Sequence, residues 1–184
     1  MQSPNTHTGV RDWSACTNCR FHHNRRRVVV REDSIRRRAF HILIIGDYPS
    51  IVDDVTGRPF SGEVFQIVHG RYGYLSFVEE LTERQFSWTT TNIVCCRPED
   101  RQPVGAEAEL CRKHIDELIQ TVKPDGIVYL GATAKKHYGP KKHKLPTVSL
   151  DHPTKILREE EFKLLPILRN ARKLQLFIDS LEKK

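Results

Sequence analysis

The chain has 184 residues, enough for one domain with a buried core, and a formal charge of +7 at neutral pH. Its hydrophobic fraction is 38%, and no apolar run nears the roughly 18 residues of a membrane span, which excludes a helical membrane protein. The N-terminus has no apolar signal segment and the cysteine count is five, an odd number, so a secreted disulfide scaffold is excluded and an intracellular protein is expected.

In chain order, residues 1–13 read as a loose tail ahead of one domain spanning 14–184. Cys16 and Cys19 form a Cys-x₂-Cys pair, followed by the basic clusters Arg25-Arg26-Arg27 and Arg36-Arg37-Arg38. Such clusters are the electrostatic footprint of a polyanion partner, most simply nucleic acid, the alternative being a solvated basic face. The apolar run His41–Ile45, ending at Gly46, predicts a buried parallel strand. Prolines and glycines from Gly46 to Pro59 predict a long loop. Helical spacing over 62–83 is interrupted by Gly70 and Gly73. A second strand is predicted over Trp88–Val94 and an amphipathic helix over 105–121.

Gly126–Leu130 repeats the strand-then-glycine pattern, with a helix from Ala132. Lys135 to Lys144 reads as a solvated basic loop, Thr147–Leu150 as a fourth short strand, and 166–182 as the closing helix. Strands alternating with helices imply an α/β fold, a three-layer α/β/α arrangement around a mostly parallel four-stranded sheet. Ligands of such sheets bind beyond the carboxyl ends of the strands. Those ends carry Asp47, Asn92, Asp151 and His152, so that a carboxylate, an amide and an imidazole can converge on one crevice.

Cys16, Cys19, Cys96 and Cys111 cannot form a local finger, because 76 residues separate the first pair from Cys96. Soft thiolates in that number suit zinc or an iron–sulfur cluster, and the spacing does not choose between them. Four unrelated core thiols are the alternative.

Several segments, in order, resemble the family 4 uracil-DNA glycosylases, the iron–sulfur branch of that superfamily. The likeness runs over roughly residues 14–158. It rests on Cys16-x₂-Cys19, on Gly46-Asp47-Tyr48-Pro49-Ser50 with Asp53-Asp54, and on Thr56-Gly57-Arg58-Pro59-Phe60-Ser61-Gly62. It continues through Thr91-Asn92-Ile93-Val94-Cys95-Cys96-Arg97-Pro98, Arg101 and Pro103, Glu109-x-Cys111 and Leu130-Gly131-Ala132-Thr133-Ala134. His152-Pro153-Thr154-Lys155-Ile156-Leu157-Arg158, similar to a loop of that family, closes the set.

The resemblance implies a glycosylase that flips uracil out of DNA and excises it in base-excision repair. Asp47 would stabilise the sugar cation or activate water, and His152 would hydrogen-bond the departing base. Gly46, Tyr48, Phe60 and Asn92 would bind the base, Phe60 by stacking and Asn92 by reading the pyrimidine edge. Lys155, Leu157 and Arg158 would contact DNA, as would the basic N-terminal segment, with Ile156, Leu157 or Arg158 wedging behind the flipped base. Cys16, Cys19, Cys96 and Cys111 would hold a four-iron four-sulfur cluster in preference to zinc, with Cys95 packed away from it. A monomer is expected, acting on DNA without a membrane partner in a prokaryotic or viral setting.

Three departures bear on the substrate. Asp47 replaces the family's Glu, Tyr48 stands where a small residue is usual, and Ser50 replaces a glycine of the same loop. They keep open a different modified pyrimidine, or a cluster-bearing DNA-binding module without turnover.

Overall fold

The structure is a computed structural model that describes residues 13–34, 38, 40–82, 86–99, 105–158 and 164–181. Residues 1–12 of the expected tail, and Arg36, Arg37, Arg101 and Pro103, lie outside the described residues. Trp13 belongs to the core instead: it is buried and meets the His114 ring edge-on, with centroids 5.7 Å apart.

Five strands form one sheet in the order β1-β3-β2-β4-β5: β1 (Glu32–Asp33), β2 (Phe40–Gly46), β3 (Phe86–Asn92), β4 (Gly126–Leu130) and β5 (Thr147–Leu150). The pairs β2/β3, β2/β4 and β4/β5 are parallel, and β1 adds to β3 antiparallel. The expected count of four is therefore corrected to five. A strand of two charged residues has no periodicity to betray it, and pairing with β3 alone defines it.

The helices are α1 (Ile51–Thr56), α2 (Glu63–Val68), α3 (Tyr74–Thr82), α4 (Gly105–Val122), α5 (Ala132–His137), α6 (Pro153–Arg158) and α7 (Leu164–Leu181). Two corrections follow. Part of the expected long loop is α1, started by a capping box in which Ser50 and Asp53 exchange side-chain and backbone bonds. The segment after His152 is likewise a helix, α6, rather than a loop. The helical spacing of 62–83 splits into α2 and α3 across Gly70 and Gly73, as those glycines imply.

Alternation along β2 explains why its run is apolar throughout. Ile42 and Ile44 face one layer, with α2, α3, α6 and α7, whereas Leu43 and Ile45 face the other, with α4, α5 and Phe21. β3 is unusual in burying Ser87, Thr89, Thr90 and Thr91. Their hydroxyls are satisfied by the N-terminal segment and its neighbours: Thr91 donates to the Val30 carbonyl at 2.6 Å and Thr89 to Asp33 at 2.6 Å.

The chain leaves β2 toward the first layer and leaves β4 toward the second. The crevice between those two strand ends is thus a topological switch point, where a ligand has room to enter. No helix among the described residues is long and apolar enough to cross a membrane.

Candidate active site and thiol centre

A cavity of about 520 Å³ opens at that switch point. Asp47 and Tyr48 line it from the end of β2, Phe60 from the loop before α2, and Thr133 from the start of α5. His152, Lys155 and Arg158 close it from the end of β5 and from α6. The volume is within the usual ligand-site range of about 300–1,000 Å³.

Asp47 is held across the crevice. Its Oδ1 accepts the Ala134 N–H at 2.9 Å, and the Thr133 hydroxyl donates to the same carboxylate. Burial outweighs these bonds and pushes its pKa up to about 6. A carboxylate poised there is mostly ionised at neutral pH yet close enough to exchange a proton.

His152 is tuned the other way. Burial first, and the Arg158 charge second, lower its pKa to about 4, so the ring is neutral at pH 7. The Thr154 backbone N–H donates to Nδ1 at 3.2 Å, and the Thr154 hydroxyl lies 2.5 Å from the same atom. An Nδ1 that accepts carries no proton, which assigns the hydrogen to Nε2. Gly131 makes this position possible: it adopts φ +93°, and a Cβ there would come within 3.1 Å of the His152 Cβ.

Gly46, Phe60 and Asn92 meet at one point. A Cβ on Gly46 would lie 2.6 Å from the Phe60 ring and 2.7 Å from the Asn92 Oδ1, so only glycine fits. Phe60 is buried with φ 57°, a left-handed conformation costing about 1–3 kcal/mol in a residue with a side chain. The Asn92 amide is buried behind the cavity wall, and its Nδ2 has no hydrogen-bond partner among the described residues. An orphaned buried donor costs about 1–3 kcal/mol, which gives it a reason to await a ligand carbonyl.

The structure does not bring every expected residue to the cavity. Gly46 and Asn92 stand behind its lining. Leu157 is partly buried against the first core layer and Ile156 is fully buried within it, so of the three wedge candidates Arg158 alone lines the cavity. Lys155 lines it while pairing with Asp151 at 3.4 Å. Tyr48 lines the cavity and also packs partly against the second core layer. Reading the sequence missed Thr133, Thr154 and Asp53. Asp53 joins both loops, accepting from the Ser50 N–H at 2.8 Å and the Ser61 N–H at 2.6 Å. The Ser50-x₂-Asp53 spacing was the available sign of it.

On the second layer, Cys95, Cys96 and Cys111 are buried and Cys16 and Cys19 half-buried, all as free thiols. Burial raises the Cys96 pKa to about 12; Arg25 opposes the shift, and Cys111, Cys19 and Cys16 add to it. The four expected ligands are thus near enough to act on one another electrostatically. Among the described residues, however, no three His, Cys, Asp or Glu groups are drawn close enough to hold a metal ion. The donor set, four soft sulfurs, suits an iron–sulfur centre in its chemistry. Cys95 departs from expectation: its thiol hydrogen-bonds Cys111, which raises Cys95 and holds Cys111 down. It faces the thiol centre rather than away from it.

A family model described as the uracil DNA glycosylase superfamily matches residues 37–179. A type-4 uracil-DNA glycosylase of Thermotoga maritima is 35% identical over 65% of this chain and 58% of its own length. Relatives of the same name are 30% identical in Pyrobaculum aerophilum, over 66% of the chain and 58% of theirs, and 25% identical in Archaeoglobus fulgidus, over 68% and 59%. The chain spans less than two thirds of the length of each.

Proposed function

Since the chain belongs to the uracil DNA glycosylase superfamily, we propose that it is a type-4-like enzyme that flips uracil out of DNA and hydrolyses its N-glycosidic bond in base-excision repair. The observation that carries this reading is the pairing, in one cavity, of a half-buried carboxylate with a neutral imidazole whose proton is on Nε2.

The flipped base would stack on Phe60, with the orphaned Asn92 Nδ2 donating to a pyrimidine carbonyl. As the glycosidic bond lengthens, positive charge gathers on the sugar and negative charge on the base. The Asp47 carboxylate stabilises the first and orients water toward the anomeric carbon; its Oδ1 is fixed by Ala134, leaving the remaining oxygen for that role. The His152 Nε2–H donates to the base oxygen on which charge accumulates, a bond that strengthens only toward the transition state. A neutral donor suits this step because it need not lose a proton to the base. Arg158 and Lys155, at the cavity edge, would hold the flanking phosphates.

Cys16, Cys19, Cys96 and Cys111 would hold a 4Fe–4S cluster. When bound it would supply a cross-link between the N-terminal segment and the body of the fold, and no catalytic step is assigned to it.

The test is single-turnover excision from end-labelled DNA with one uracil, beside Asp47→Asn and His152→Ala. Strand cleavage at the abasic product, lost in both variants, is expected. Folded, DNA-binding wild-type protein that leaves uracil in place would overturn the assignment.

A further inference from the structure

Asp54, beside the carboxylate that joins the cavity loops, turns the other way. It is 2% exposed and holds the segment after Cys19. Its two oxygens accept the Arg26 N–H at 3.0 and 3.1 Å, Oδ1 also accepts the Arg27 N–H at 3.3 Å, and Arg97 Nε lies 3.8 Å from Oδ2. A buried carboxylate that spends its bonds on backbone N–H groups fixes where two successive side chains emerge.

Those side chains are uncommitted. Arg26 and Arg27 are exposed, and neither guanidinium has an ion pair or hydrogen bond among the described residues. Arg25 differs, its guanidinium donating to the His22 and Ser14 carbonyls at 2.9 and 3.1 Å. The three arginines border a cleft of about 580 Å³, completed by Thr17, Thr56 and Gly57. The Thr56 hydroxyl is spent on the Val52 carbonyl at 2.9 Å, so the donors offered are the two guanidiniums without a partner among the described residues, whose forked N–H groups suit a phosphodiester.

The cleft also sits at a defined place. α1 runs from Ser50, on the cavity lining, to Thr56 and Gly57, on the cleft lining. Six helical residues at about 1.5 Å each separate the two by about 9 Å. A strand rising about 3.4 Å per nucleotide covers that in about three nucleotides.

We propose that Arg26 and Arg27 form a phosphate-binding cleft that grips the DNA backbone about three nucleotides from the flipped base, with Asp54 as the residue that sets its distance from the cavity. The proposal rests on the glycosylase reading and adds to it a register on the DNA. It also makes the segment after the first cysteine pair part of the substrate surface.

The experiment uses the full chain and a uracil oligonucleotide series in which one phosphate at a time is replaced by a neutral methylphosphonate. Wild-type binding should weaken for replacements about three nucleotides to one side of the uracil, and R26Q/R27Q should lose that sensitivity. The slope of log K against log salt on duplex should fall by about 1.8, two phosphates at about 0.9 each. K135Q/K136Q removes the same charge from exposed lysines on α5 and should keep the positional signature. D54N should blur that signature while both arginines remain. Equal weakening in the two double variants without a positional signature would overturn the proposal, as would a wild-type scan with no sensitivity beyond the adjacent phosphates. Positional sensitivity in a protein that fails to excise uracil would leave the cleft standing and sink the glycosylase reading; excision without it would do the reverse.

Discussion

At the carboxyl ends of β2 and β4 the polar groups are held open to a cavity, whereas on the second layer Cys95, Cys96 and Cys111 are shut into the core. The cavity shifts the pKa of Asp47 up and that of His152 down, and leaves the Asn92 donor without a partner among the described residues. The bond to Cys111 and burial raise Cys95, burial raises Cys96, the Cys95 bond lowers Cys111, and all three pack in the layer of Phe21. The first region therefore gives up stability to gain reactivity, and the second ties sequence-distant segments together.

The largest break in that contrast should come from Asp47→Asn, which removes the charge facing the sugar cation and should slow single-turnover excision by about 10³-fold. His152→Ala should cost about 10²-fold, the usual scale for one transition-state donor. The wild-type rate should also fall with the Asp47 titration, about tenfold per pH unit below pH 6. A pH–rate profile flat through pH 5 would remove Asp47 from the chemistry.

Changes in the thiol centre should act on stability instead. Cys96→Ser or Cys111→Ser should abolish visible absorbance and lower Tm by about 5–10 °C, as expected for about 2–3 kcal/mol in a domain of this size. Any folded fraction should excise uracil at near the wild-type rate. A rate collapse in fully folded Cys96→Ser protein would erase the distinction between the regions.

Smaller effects sharpen it. His69 is stacked between Phe65 and Trp88, with centroids 5.3 and 4.4 Å away, and burial followed by the Arg58 charge lowers its pKa to about 4. Its folded pKa is below the unfolded value, so its stability is complete above about pH 6.5 and lost as pH falls toward 4. Denaturant titrations of His69→Phe should show about 2 kcal/mol less acid loss than wild type across that window. Asp47 has the opposite sign. Its folded pKa is above the unfolded value, so it costs stability once pH rises through 6. Asp47→Asn should accordingly be more stable than wild type at pH 8 by about 1–2 kcal/mol, after discounting for its partial exposure.

The four parallel strands were legible because strand periodicity is local in sequence; of the residues the motifs singled out, Asp47, Phe60 and His152 line one cavity and Asn92 stands behind it. What escaped depends on distant partners. β1 exists only through Thr89 and Thr90, and Cys95 turns toward Cys111 through a packing choice that no spacing records. The tautomer of His152 hangs on a single N–H two residues later, whose direction requires the α6 turn. Ile156, Leu157 and Arg158 read alike as wedge candidates from the motif, and only the helix distinguishes them, turning Ile156 into the core and Leu157 partly against it.

The buried threonines of β3 carry a further consequence, one of timing. Val30 receives bonds from Thr91, 61 residues later, and from His114, 84 residues later. Contacts of such separation close slowly, and a chain made from its N-terminus cannot form them until α4 has been synthesised. The first described segment of the sequence is therefore among the last to dock. Until it does, β3 offers unpaired hydroxyls along an open edge, and Cys16 and Cys19 wait in solvent for their partners.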